Sequence, residues 1–194
     1  MAISLQKGQK ISLSKEAGTT LTRILMGLGW DCVKKKGLLG SLFGGGKEVD
    51  LDASCLLFNA SGQLLDAVWF KQLRSKDGSV MHTGDNTTGA GEGDDESIIV
   101  DLTRVPESVT ALVFVVNSFT GQGFDTVANS FCRLVDHTNN REVARYQLDS
   151  QGPHTAMVLG KLYRHENDWK MHAIGEKAQG KTFLDLLPII SANL

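Results

Sequence analysis

Short runs of aliphatic and β-branched residues recur along the chain at 11–13, 51–58, 98–102, 111–116, 131–135, 142–148, 156–163 and 169–174, with turn-forming residues between them. Runs this short and this regularly punctuated predict β-strands rather than helices. Ala144, Tyr146 and Leu148 fall on alternate positions, as the buried face of a strand requires. Segments 59–62, 137–140 and 166–168 are rich in Asn, Asp, Ser and Gly and read as hairpin turns. The pattern is all-β, an antiparallel β-sandwich with few short helices. Residues 182–190 predict the one helix, broken by Pro188. Ile3-Ser-Leu5 is echoed by Ile11-Ser-Leu13, which predicts a hairpin at the amino end.

A chain of 194 residues with 41% hydrophobic content suffices for one domain with a real core, here residues 1–194. The first ten residues lack the apolar core of a signal peptide, and no run approaches the ~18 apolar residues of a membrane span. The expected location is cytoplasmic. Cys32, Cys55 and Cys132 show no paired spacing and read as small buried hydrophobes. His82, His137, His154, His165 and His172 are scattered, with no Ser/His/Asp arrangement to make a nucleophile. The net charge is −2, and no aromatics interleave with the basic residues, so nucleic acid is not an expected partner.

That small net charge hides a strong local imbalance. Between 77 and 103 lie Asp77, Asp85, Glu92, Asp94, Asp95, Glu96 and Asp101 without a single Lys or Arg. Mutual repulsion among neighbouring carboxylates costs on the order of 1 kcal/mol per close pair, so an ordered segment of this kind calls for a cation. Glycines alternate with oxygen donors there, and Gly89, Gly91 and Gly93 let the backbone turn its carbonyls inward. Calcium, with six to eight oxygen ligands in a pliable shell, fits this supply best. Magnesium stays open as a competitor with a stricter octahedron, whereas His82 alone in the segment argues against zinc and copper. The EF-hand template fails, because Asn86 and Thr87 come after Asp85 in the wrong pattern. The bland alternative is a solvated acidic loop.

One further motif competes for attention. Gly175-Glu-Lys-Ala-Gln-Gly-Lys-Thr182 satisfies the phosphate-loop pattern, in which Lys181 and Thr182 would meet a nucleotide's γ-phosphate and magnesium. Only 12 residues come after Thr182, too few for further βα units, and the surrounding pattern is antiparallel β. Nucleotide binding and metal-dependent catalysis are therefore the alternatives to a non-enzymatic binding module.

Met26-Gly-Leu-Gly-Trp-Asp31, Val49-Asp-Leu-Asp-Ala-Ser54, the segment 77–96, Glu142-Val-Ala-Arg-Tyr146 and Leu162-Tyr-Arg-His165 together resemble the TerD-like tellurium-resistance and stress-protein family over nearly the whole chain. The resemblance implies a bacterial calcium-binding β-sandwich without catalytic activity, holding one or two Ca2+ ions, cytoplasmic or peripheral at the inner membrane. Its implied partners are other stress and tellurium-resistance proteins. It also implies the ligand set, with Asp31, Asp50 and Asp52 joining Asp85, Asn86, Asp94, Asp95 and Glu96. Asp77, Gly89, Gly91 and Glu92 complete the candidates on the acidic segment.

The segment 33–48 resembles the longer loop of one branch of that family. Within it, 34–47 combines four lysines with Leu38, Leu39, Leu42 and Phe43. A basic loop with an apolar tip suits an anionic membrane surface, where each basic residue contributes about 1 kcal/mol. A form lacking 34–47 is expected to bind anionic vesicles more weakly than the full chain; equal binding would assign the loop to its own domain instead.

Overall fold

The computed structural model describes residues 2–32, 50–84, 93–148 and 151–194. Among the described residues twelve strands run in the order β1 Ile3–Leu5, β2 Lys10–Ser12, β3 Arg23–Cys32, β4 Asp52–Phe58, β5 Leu64–Val68, β6 Val80–His82, β7 Glu96–Asp101, β8 Ala111–Asn117, β9 Val127–Asp136, β10 Arg141–Gln147, β11 Ala156–His165 and β12 Asp168–Ala178. They form two six-stranded sheets, one ordered β1-β10-β9-β3-β7-β6 and the other β2-β12-β11-β8-β4-β5. Every strand pair is antiparallel except β1 with β10. The chain is the β-sandwich its rhythm predicts. Among the described residues no helix is long and apolar enough to cross a membrane.

The core lies between the sheets. Ile24, Met26, Leu28 and Trp30 of β3, with Ile98 and Val100 of β7, share one apolar cluster with Ala53, Cys55 and Leu57 of β4 and Leu112, Phe114 and Val116 of β8. A second cluster sits on the other face of the β4/β8 sheet, where Leu56, Phe58, Val113 and Val115 meet Phe183, Leu186 and Ile190 of the C-terminal segment. Burying each of these three side chains contributes roughly 1.5–3 kcal/mol. Covered on both faces, β4 and β8 are buried at every position, so their apolar residues, Cys55 to Phe58 and Ala111 to Val116, run consecutively rather than alternating.

The expected turns are present. Asn59 Oδ1 accepts from the backbone N–H of Ser61 and Gln63 and closes the β4–β5 hairpin, while Asn140 and Glu166 take positive φ between β9 and β10 and between β11 and β12. Three local expectations are corrected. The amino-terminal segments do not pair with each other: Ile3 registers with Ala144 in one sheet and Ile11 with Met171 in the other. Ser12 ends β2 by capping a short helix, α1 Leu13–Ala17, which Gly18 closes at φ 72°. The C-terminal helix is a 3-10 turn, Phe183–Leu186, continued by α2 Leu187–Ser191, and Pro188 starts α2 rather than breaking it.

Candidate metal centre

The C-terminal end of β3, the entry to β4 and the N-terminal end of β7 meet at one end of the sandwich. Asp95 fastens that junction, its N–H donating to Leu28 O at 2.8 Å and its Oδ2 accepting from Trp30 N at 2.9 Å. Beside it, Asp94 crosses over β3. Arg133 of β9 grips both Asp94 oxygens, through Nε at 2.7 Å and Nη2 at 3.0 Å. Arg133 also reaches Glu142 at 3.2 Å, and Glu142 is held in turn by Arg145 at 2.7 and 2.8 Å, with the Arg145 guanidinium 4.1 Å above the Phe131 ring. A carboxylate has about four lone-pair sites, so Asp94 still has acceptor capacity for a cation while gripped by Arg133.

Gly27 and Gly29 make this crossing possible. A Cβ on Gly27 would overlap the Asp94 carboxylate, and one on Gly29 would lie 2.6 Å from Gly93 O and 2.5 Å from the Phe131 ring. Gly29→Ala is therefore expected to cost about 1–3 kcal/mol, the usual penalty of overpacking. Urea unfolding checks this, and wild-type stability would show that the 93–95 segment yields freely.

Glu96 turns inward. Its side chain is inaccessible to solvent, and its Oε2 accepts from Ala53 N of the opposite sheet at 2.6 Å, so β7 is tied to β4 across the core. His82, equally buried, places Nε2 3.4 Å from that same oxygen and accepts from Gly84 N through Nδ1 at 3.1 Å. The sequence placed His82 among scattered histidines; only the β6–β7 register, His82 with Ile98, brings it onto the interior face beside Glu96.

The remaining candidates divide clearly. Asp31 is exposed at the end of β3 and accepts from Asn129 Nδ2 at 2.8 Å. Asp50 is half-buried, and Asp52, 3% exposed, precedes the Ala53 that Glu96 holds. Asp77 does not join them. Its Oδ1 accepts from Ser75 Oγ at 3.0 Å and Ser79 N at 2.6 Å, which makes it the turn residue before β6. That turn sits at the Asp101 end of β7, about 17 Å from Glu96 at the usual rise per residue. Asp85, Asn86, Gly89, Gly91 and Glu92, like the basic loop 34–47, lie outside the described residues. Among the described residues, no three His, Cys, Asp or Glu side chains form a group able to hold a metal ion.

The electrostatics of the junction favour positive charge. Burial pushes the Asp95 carboxyl above its ordinary range against the hydrogen bond from Trp30, and the nearby Asp31 and Asp94 push it further. Asp31, Asp94 and Asp95 offer oxygen, which suits a hard cation rather than zinc or copper. The Cys55 and Cys132 thiols are inert: burial raises Cys55 strongly and Cys132 to about 12, so neither is a thiolate at neutral pH.

The phosphate-loop motif does not form a phosphate loop. Its first four residues continue β12, and the backbone N–H groups of Lys181 and Thr182, which would cradle a phosphate, donate to Asp185 Oδ2 at 2.9 and 3.0 Å. Thr182 then leads into a 3-10 turn of four residues, not a long helix.

Comparison with known proteins places this architecture. The TerD domain profile matches residues 1–187. The chain is 50% identical over 184 residues to tellurium resistance protein TerZ of Serratia marcescens, spanning 95% of this chain and 94% of that protein. It is 41% identical to stress response protein SCP2 of Bacillus subtilis, spanning 96% and 98%. A solved TerD homologue from Streptomyces coelicolor superposes with a TM-score of 0.70 at 19% identity, over 88% of this chain and 98% of that one, and supports the fold.

Proposed function

The chain belongs to the TerD family, whose members carry the names of tellurium-resistance and stress proteins, and from that premise we propose that it is a non-enzymatic, calcium-dependent binding module of such a system. The observation that carries this reading is the junction itself: Arg133 and Trp30 N hold Asp94 and Asp95 against β3 next to Asp31 in the chain, and Glu96 ties the same segment to the Ala53 that comes after Asp52. Asp31, Asp50, Asp52, Asp94 and Asp95 would hold the ion, with Asp85, Asn86 and Glu92 from the adjoining acidic segment. Calcium supplies charge neutralisation and a multidentate junction between chain segments far apart in sequence.

The protein's own residues set the rest. Arg133 fixes Asp94 in place, Trp30 N fixes Asp95, and Glu96 anchors β7 to β4, so three donor-bearing segments share one rigid frame. A cation bound only by the folded state stabilises it in proportion to the logarithm of free ion over Kd. Calcium level thereby becomes fold stability and loop order, the property a partner protein reads.

Calorimetric titration of calcium into chelator-treated protein, repeated in excess magnesium, tests the reading. One or two ions per chain, bound in both conditions, is the expected result. No heat would return the acidic segment to a solvated loop, and loss of the signal in magnesium would make the site a general divalent one.

A further inference from the structure

At the opposite end of β7 from the acidic junction, three guanidinium groups line one cavity. Arg23 comes from β3, Arg74 from the segment before β6 and Arg104 from the turn after β7; with Gly78, Met81, Ile99 and the carboxylate-bearing Asp101 they enclose about 140 Å³ open to solvent. The register explains the convergence. Arg23 pairs with Asp101, Arg74 bridges to Met81, and Met81 pairs with Ile99, so three separate segments deliver cations to one patch of sheet.

Asp101 lines the cavity and Asp77 lies beside it, yet neither pairs with these cations within 4.0 Å. Asp77 Oδ1 is engaged by Ser75 and Ser79, and Asp101 Oδ1 by Thr103 N at 3.1 Å and Thr103 Oγ1 at 2.6 Å. Among the described residues Arg23, Arg74 and Arg104 enter no ion pair within 4.0 Å. Arg74 Nη2 has only the weak acceptor Met81 Sδ at 3.2 Å, and Arg104 Nη2 the Asp77 carbonyl at 3.4 Å. Gly78, at φ 73°, leaves the wall of the cavity bare beside Arg104. Elsewhere on the same sheet Arg133 and Arg145 are carboxylate-bound.

We propose that this cavity is an oxyanion site whose ligand is a phosphate group, free or as a monoester. Planar guanidiniums with several N–H donors match phosphate oxygens in paired hydrogen bonds, which lysines do not. The cavity has room for one such group, and its open mouth lets the rest of a monoester extend into solvent.

The probes are inorganic phosphate and glycerol phosphate, titrated into the full chain at constant ionic strength and monitored by amide NMR shifts. Saturable shifts around Arg74, Gly78 and Arg104 are expected, with Arg74→Gln and Arg104→Gln each weakening binding at least tenfold, the loss of one charge-assisted contact. Lys7→Gln, on a remote surface, is expected to leave it unchanged. Equal binding of both probes identifies the phosphate group alone as the ligand, and stronger binding of the ester identifies a monoester. Linear, unsaturable shifts, or equal affinity in the arginine variants and wild type, would overturn the site. The exposed arginines leave the fold intact when replaced, which unchanged melting confirms.

Discussion

Calcium is expected to raise the melting temperature of chelator-treated protein by roughly 10 °C, and the double substitution Asp94→Asn with Asp95→Asn is expected to remove most of that rise. Free ion at about 1,000 times Kd contributes about 4 kcal/mol, and a chain of this size gains about 2–4 °C per kcal/mol. The two residues also have duties without metal, since Asp94 is gripped by Arg133 and Asp95 accepts from Trp30 N. The apo protein will therefore shift as well, and the informative quantity is the difference between calcium and chelator within each variant. A rise as large in the variant as in the wild type would remove this pair from the site.

Glu96→Ala is the second large effect, expected at about 2–5 kcal/mol, the combined cost of an unsatisfied buried donor and a cavity. The carboxylate is fully buried, and its loss strips Ala53 N of its acceptor and opens a cavity beside His82. Glu96→Gln keeps a carbonyl oxygen of the same reach and should cost far less, about 1 kcal/mol. Urea unfolding of both variants in chelator separates this inter-sheet tie from any metal contribution. Should the alanine variant match the wild type, the Ala53–Glu96 bond is not what joins the sheets at this end.

Much of the architecture was legible because strands of four to ten residues announce themselves by burial. β4 and β8 are the clearest, being apolar on both faces. β3 was hidden for a physical reason: Gly27 and Gly29 look like strand breakers, and what they accommodate, Asp94 and Gly93, lies more than sixty positions away. Likewise, the similarity of Ile3-Ser-Leu5 to Ile11-Ser-Leu13 describes the composition of two strands and says nothing about their partners. The phosphate-loop letters occur without a phosphate loop because a motif does not show that Asp185 already fills the amide positions.

The site was legible as charge and illegible as geometry. Asp94 and Asp95 stand out in the sequence for the same reason as Asp77, yet Asp77 closes a turn at the other end of β7. Asp31 and Asp52 carry no local signal at all, and a family resemblance rather than a pattern of residues brought them forward. The His82–Glu96 contact depends on strand register, which single-sequence patterns specify poorly for a three-residue strand.

The division of the amino-terminal strands between the two sheets has a consequence for how the protein is made. β1 waits for β10 and β2 waits for β12, so neither finds its partner until residues 141–178 have been synthesised. With its earliest strands closing onto its latest ones, the domain cannot lock segment by segment as it leaves the ribosome. Such nonlocal pairing places folding in the slow, millisecond-to-second class of β proteins.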